Sequence, residues 1–442
     1  MIKAKKKEGR FMISPGRKKF SFDYVWVIVS ICFVMVALGL GFCSSGSSIY
    51  LTAITDALGI SRGAYSVTNT IRYIATTVLN IYFGQLVLKF GTKKLICAGF
   101  VSLILFALIS SVATNVFTFY VGGAFLGIGL SWTTTTMTST IINRWCKTNK
   151  GTITGAILSA NGLGGAVAIQ IISPIIFEEG KPFGYRNSYR LVASILVVVL
   201  ILVILLYREY PKDAENKDEA VQKKRKPRGT GWIGMEYEKA VKKPYFYIAI
   251  ICIFFSGMAL QGLSFVATPH MYDVGIDVDV VANIASMGAV LLTVTKFLTG
   301  FLYDRFGMKL TMNICLVCSF VSTISLFFVS ATPLGQIIAY ARQIFNAFAL
   351  PLETVMLPLY ASELFGNKSF DKLVGIFTAA CTAGFAICAP LGNMCYDIFG
   401  NYNIAFMFFT ILMLFVTVAM QFVLRAAGRD KEAILSAEKE AA

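Results

Sequence analysis

The sequence predicts an all-α membrane protein of twelve transmembrane helices arranged as two six-helix lobes. Three observations predict it. Apolar runs of about 20 residues recur along the whole chain. Small landmark residues repeat at one fixed offset. Basic residues collect on alternate connecting segments.

The apolar runs set the class. The 442 residues are 56% hydrophobic and 14% charged, with a mean hydropathy of +0.69. A soluble domain carries about 25% charged residues. In lipid the backbone must satisfy its own hydrogen bonds, so long apolar runs become helices. The short alternating segments of a β-barrel are not seen. The ten cysteines lie mostly inside apolar runs, and Cys315 and Cys318, spaced C-x-x-C, are read as packing residues. A formal net charge of +16 does not imply nucleic acid, because the charge sits in clusters between the runs. No cleavable leader is expected, since the first apolar run is too long.

In order, residues 1–23 form a basic tail with eight Lys and Arg. An N-terminal lobe spans 24–207, with runs near 24–54, 64–88, 95–114, 117–142, 151–177 and 188–207. Residues 208–243 form a charged linker. A C-terminal lobe spans 244–425, with runs near 245–272, 280–303, 310–330, 334–361, 373–396 and 404–424. Residues 426–442 form a second tail. With both termini on one side, 33 of the 40 Lys and Arg fall on that side and four on the other. The remaining three lie inside runs. The positive-inside rule then predicts a multi-pass cell-membrane protein with both termini cytoplasmic. The linker is read as a solvated connector.

The repeat is visible at 296–309, KFLTGFLYDRFGMK, and at 84–94, GQLVLKFGTKK. Gly84 and Gly300 are 216 residues apart, as are Gly91 and Gly307, and Pro174 and Pro390. Gly300, Asp304, Arg305 and Gly307 form G-x-x-x-D-R-x-G after the eighth run. Glycines allow a tight turn and close helix approach. Asp304 is suited to accept hydrogen bonds at a neighbouring helix end. The first copy has Leu88 in place of the aspartate, which predicts a weaker latch there.

Six plus six helices, a basic central loop and this turn after helices 2 and 8 resemble the major facilitator superfamily. Asp23-Tyr24-Val25-Trp26, and Asn143-Arg144-Trp145-Cys146 followed by Gly151, Gly155, Gly162, Gly164 and Gly165, are similar to segments of monocarboxylate transporters and oxalate:formate antiporters. The resemblance implies alternating access by two lobes. Helices 1, 4, 7 and 10 would line a central cavity, flanked by 2, 5, 8 and 11. The glycines of helix 5, with Gly375, Gly384, Pro390 and Gly392 of helix 11, would serve a hinge-like interface.

Charges inside membrane helices are costly and mark cavities or partners. This chain has Arg72 in helix 2, Lys296 in helix 8, and Arg342 and Glu353 in helix 10. Lys296 sits four residues before Gly300, where the anion-transporting relatives place an arginine. Those antiporters also carry a lysine midway along helix 11, where this chain has the uncharged stretch 378–390. The departure points to a monoanion, or to a second cation such as Arg342. Arg342 and Glu353 are expected on one helix face, about 16 Å apart in depth, unless Pro351 bends the helix between them. Glu353 is a partner for Lys296 or a proton-coupling group. Trp132 with the run Thr133–Thr136, Ser44–Ser48 with Tyr50, Gln261 and Asn346 are candidates to complete the site. His270 is read as an interfacial residue.

The expected function is secondary active transport of a small organic anion, a monocarboxylate or an oxalate- or formate-like acid, by proton symport or anion exchange. No enzyme activity, cofactor or metal is expected, because phosphate-binding loops, ligand clusters and nucleophilic triads are absent from the sequence. The expected partners are the carboxylate, protons or a counter-anion, and the lipid bilayer, with no nucleic acid and a monomeric state. The alternatives are a drug or cation exporter of the same fold, and a membrane sensor that binds the anion without moving it.

Overall fold

The computed structural model describes residues 24–45, 47–146, 148–176, 183–209 and 234–440. The N-terminal tail and most of the linker lie outside the described residues. Helices account for nearly all the rest. The first lobe holds α1 (Tyr24–Val36), continued by a π-helical stretch Ala37–Ser45, then α2 (Ser47–Leu58), α3 (Arg62–Ile81), α4 (Phe83–Phe90), α5 (Thr92–Val112), α6 (Val116–Thr133), α7 (Thr135–Trp145), α8 (Lys150–Ile176) and α9 (Gly184–Leu206). A short α10 (Tyr237–Ala240) leads into the second lobe. That lobe comprises α11 (Pro244–Asp273), α12 (Val278–Ser325), α13 (Pro333–Ala349), a 3-10 turn Leu350–Glu353, α14 (Met356–Phe365), α15 (Phe370–Phe399) and α16 (Asn403–Glu440).

Nine helices among the described residues are long and apolar enough to cross a membrane. Two bent pairs, α3 with α4 at 61° and α13 with α14 at 48°, raise this to eleven. The expected count of twelve is consistent with this, because α12 is long enough for two spans. Its 48 residues would run about 72 Å at ~1.5 Å per residue, more than twice a ~30 Å hydrocarbon core. It breaks at Gly307, where φ is 80° and ψ is 176°. Gly91, between α4 and α5, has φ 76° and ψ 164°. The two copies of the repeated turn therefore share one left-handed backbone conformation, which a side chain would strain.

Two expectations about the tails change. Helix α16 continues through residues 426–440 as one 38-residue helix. Charged and alanine-rich residues extend it after the apolar run, and Lys431 pairs with Glu363 at 2.7 Å. The last ten linker residues are docked, not merely solvated. Met235 donates its N–H to the Phe365 carbonyl at 3.0 Å. Lys368 pairs with Glu236 at 2.6 Å and holds that carboxyl below its usual range.

The lobes meet along two seams. Helix α8 packs on α12, where a Cβ added at Gly155 would stand 2.4 Å from the Lys296 carbonyl oxygen. Helix α15 packs on α3 and α4, where a Cβ at Gly375 would stand 2.6 Å from the Asn80 oxygen. The glycines of helices 5 and 11 thus serve separate seams. Others face inward: Gly164 approaches Ala37, and Gly384 approaches Phe254 and Met258.

Candidate functional site

A cavity of about 370 Å³ lies between the lobes. All eight expected helices reach it. Its wall is shaped where helices lose regularity. Leu40 and Ser44 come from the π-helical stretch after α1. Thr134, with φ −120° and ψ −136°, separates α6 from α7. Thr133 and Thr134 turn their hydroxyls back onto the Gly129 and Leu130 carbonyls at 2.8 and 2.6 Å. Such back-bonding competes with the helix ladder and bends it. In the other lobe Pro351 lacks an N–H, so α13 gives way to the 3-10 turn that ends in Glu353.

Three of the four intramembrane charges share this cavity: Arg72 from α3, Lys296 from α12 and Glu353 from the 3-10 turn. They are 6%, 3% and 6% exposed, so each is shielded from bulk solvent. Arg72 donates from Nη1 to Ser44 Oγ at 2.8 Å and lies 4.3 Å from the Tyr73 ring centroid. Its Nε has no partner, nor does Glu353 Oε1. Lys296 and Glu353 line the same wall without closing to an ion pair among the described contacts. Gln261 also lines the cavity.

The other candidates lie elsewhere. Arg342 and Asn346 line an adjoining cavity of about 240 Å³ within the second lobe, bounded by α11, α12 and α13. The break after Ala349 removes the shared helix face expected for Arg342 and Glu353. Trp132 packs toward α5, its Cβ beside Gly99, and lines neither cavity. His270 lies in the last turn of α11, buried, and its ring packs edge-on against Phe406 at 4.9 Å.

Sequence reasoning passed over Tyr73, Thr76, Asn161 and Thr382, all in the central wall. Asn80, the position equivalent to Lys296 in the first copy, 216 residues earlier, lines the same cavity. Thr382 reaches across the lobes to Thr77 at 2.8 Å, and Phe385 packs edge-on against Tyr73 at 5.4 Å.

The basic end of the molecule is shut. Asp304 accepts hydrogen bonds from the Gly151 and Thr152 N–H groups at 3.0 and 2.6 Å, at the start of α8. A Cβ at Gly300 would stand 2.0 Å from the Gly151 oxygen, so only glycine admits this approach. Arg305 stacks over Phe306. On the pseudo-symmetric side Gly84 packs against the Lys372 backbone, as Gly300 does against Gly151. Leu88 is 71% exposed and takes no latch role. Its place is filled by an ion pair across the lobes, Arg144 with Asp371 at 2.7 Å. The half expected to be weakly latched therefore has a different lock.

Two helical lobes enclosing one buried polar cavity, shut at one end by contacts between them, define a membrane transporter. The chain belongs to the Major Facilitator Superfamily, whose family model matches residues 29–350 and 249–442. It is 25% identical over 289 residues to the sialic acid transporter NanX of Escherichia coli, covering 64% of this chain and 66% of that protein. It thus spans about two thirds of that relative's length. It is 26% identical over 165 residues to the nitrite extrusion protein of Bacillus subtilis, covering 37% and 40%. It is also 21% identical to multidrug resistance protein 2 of Bacillus subtilis, covering 77% and 82%. Among solved structures, the proton:xylose symporter XylE superposes with a TM-score of 0.73 at 14% identity, covering 91% of this chain and 96% of that one.

Proposed function

We propose that this protein is a secondary active transporter of a small organic monoanion, most closely a carboxylate. One observation carries the reading: Arg72 and Lys296, one from each lobe, line a single cavity against one carboxylate, Glu353. The surplus charge is positive, and a low-dielectric wall amplifies its attraction for an anion. Because the cations come from both lobes, an anion bound between them draws the lobes together. The site is therefore shared between the lobes. Two relatives whose names specify sialic acid and nitrite support a negatively charged substrate. The resemblance to monocarboxylate and oxalate:formate carriers belongs to the same proposal.

Glu353 is assigned the proton-coupling role. In the empty cavity it balances one cation; protonated, it leaves both for the substrate. The basic end is cytoplasmic, with both termini inside, and the protein works as a monomer. The cavity shut at that end then loads from outside. A drug-exporter reading draws on multidrug resistance protein 2. An amphiphilic cation would meet two like charges in this cavity, which disfavours it.

Proteoliposome uptake tests the proposal. Labelled formate, lactate, oxalate and sialic acid are offered with an inward proton gradient, or with internal carboxylate for exchange. At least one acid is expected to accumulate in wild-type vesicles and not in Lys296→Ala vesicles. Accumulation of lipophilic cations alone would reverse the assignment. Binding of an acid without any movement would make the protein a sensor.

A further inference from the structure

We infer that Arg342 is the centre of a second binding site, for a small monovalent anion, within the C-terminal lobe and distinct from the Arg72–Lys296 cavity. The inference rests on Arg342's own surroundings and not on the transport reading. Arg342 is 2% exposed. Its Nε and Nη2 have no hydrogen-bond partner, and Nη1 makes one long contact, 3.4 Å, to Gln343 Oε1. Among the described ion pairs none involves Arg342. A lysine in this position could release its proton and become neutral. A guanidinium cannot, so its charge must be answered in place. A buried charge left without a partner is strongly destabilising.

The adjoining cavity of about 240 Å³ supplies the space for a counter-charge. Its wall joins Thr268 of α11, Gly288 of α12, and Gln343 and Asn346 of α13 to Arg342. Asn346 Oδ1 also lacks a partner. Turning that amide over presents its NH2 group one helical turn from the guanidinium. A Cβ at Gly288 would stand 1.7 Å from Gln343 Nε2. The missing side chain at 288 therefore makes the room in which Gln343 lies beside the arginine. A guanidinium fork with a neighbouring amide matches a halide or the head of a carboxylate. A single cation without a second fits one negative charge and not two. The two cavities share Ser264, Leu292 and Leu350, so an anion at Arg342 sits one wall away from Lys296.

The test measures melting of the purified full chain in detergent, followed by intrinsic fluorescence. Ionic strength is fixed with sodium sulfate, which is exchanged in one series for sodium bromide and in another for sodium formate. Replacing sulfate lowers the stability of a protein without a site, so a saturable rise in Tm marks binding. A rise is expected in at least one series: bromide alone identifies an inorganic counter-anion, formate alone a carboxylate. Arg342→Gln is expected to raise the half-saturating concentration at least about tenfold, the loss of one or more charged hydrogen bonds. Should Arg342→Gln fail to fold, Arg342→Lys and Gly288→Ala carry the test, and both should raise it. No rise in wild-type protein, or wild-type values in the Arg342 and Gly288 variants, would each overturn the site. Vesicles that move no acid while this response stands would sink the transport proposal and leave this one intact.

Discussion

Replacing Asp304 by alanine should open the basic end of the molecule. The carboxylate accepts two backbone N–H groups of the opposite lobe, at 3.0 and 2.6 Å. Hydrogen bonds to a charged group are worth about 1.5–3 kcal/mol when shielded, and an anion at a helix N-terminus adds about 0.3–1 kcal/mol. Asp304 is exposed, so solvent reduces these values. A total of about 1–2 kcal/mol remains. The contact joins the lobes only while this end is shut. Its loss therefore moves the closed–open equilibrium by a factor of about 5–30 toward open. The assay is pulsed electron paramagnetic resonance between labels at Lys94→Cys and Lys309→Cys, both exposed at this end. Cys97, Cys318 and Cys395 are replaced by serine, and the other seven cysteines are buried. Asp304→Ala should enrich the longer distances, and Asp304→Asn, which keeps one acceptor, should do so less. A distance distribution identical to wild type in Asp304→Ala would refute the latch.

Four further outcomes are expected. Lys296→Ala should reduce acid uptake at least about a hundredfold, by removing a shielded charge-assisted contact, while Lys296→Arg retains part of it; wild-type uptake in Lys296→Ala would defeat the site assignment. Glu353→Gln should flatten the pH dependence of uptake while leaving exchange of acid for acid, and an unchanged pH profile would return Glu353 to a structural role. Arg144→Asp and Asp371→Arg should each disturb the closed state, and the double reversal should restore it in the same distance measurement; additive damage would show that the pair is not a lock. Gly300→Ala places a Cβ against the Gly151 carbonyl, and the label distances at the basic end should lengthen at least as much as in Asp304→Ala.

The architecture was legible because lipid leaves few choices. Long apolar runs must be helices, and the charge asymmetry and the 216-residue repeat divide them into two equal sets. The rarity of buried charge likewise exposed Arg72, Lys296, Arg342 and Glu353. Their grouping was not legible, because it depends on where helices fail. A regular helix would align Arg342 with Glu353; Pro351 and the 3-10 turn separate them into two cavities. Thr134 breaks α6 from α7 through local back-bonding that a hydropathy profile does not register. The Arg144–Asp371 lock was missed for another reason. The repeat predicts what each copy should contain, and Leu88 contains nothing; the compensating pair comes from two other segments, 227 residues apart.

The broken helices around the central cavity impose a second filter on what passes through it. The π-helical stretch and the 3-10 turn before Thr354 depart from the regular i to i−4 ladder, and the backbone angles at Thr134 set α6 off from α7. Leu40, Ser44, Thr134, Glu353 and Thr354 at these breaks line the cavity, where water would satisfy any peptide group the breaks leave unpaired. An entering molecule displaces that water and inherits its hydrogen bonds. A greasy solute would strand the peptide groups it dries, at a penalty independent of its charge. A hydroxy acid or a sugar acid can replace the water, oxygen for oxygen. Under the proposed function, the backbone irregularities would act as a wetting threshold, selecting for polarity before the cations select for sign.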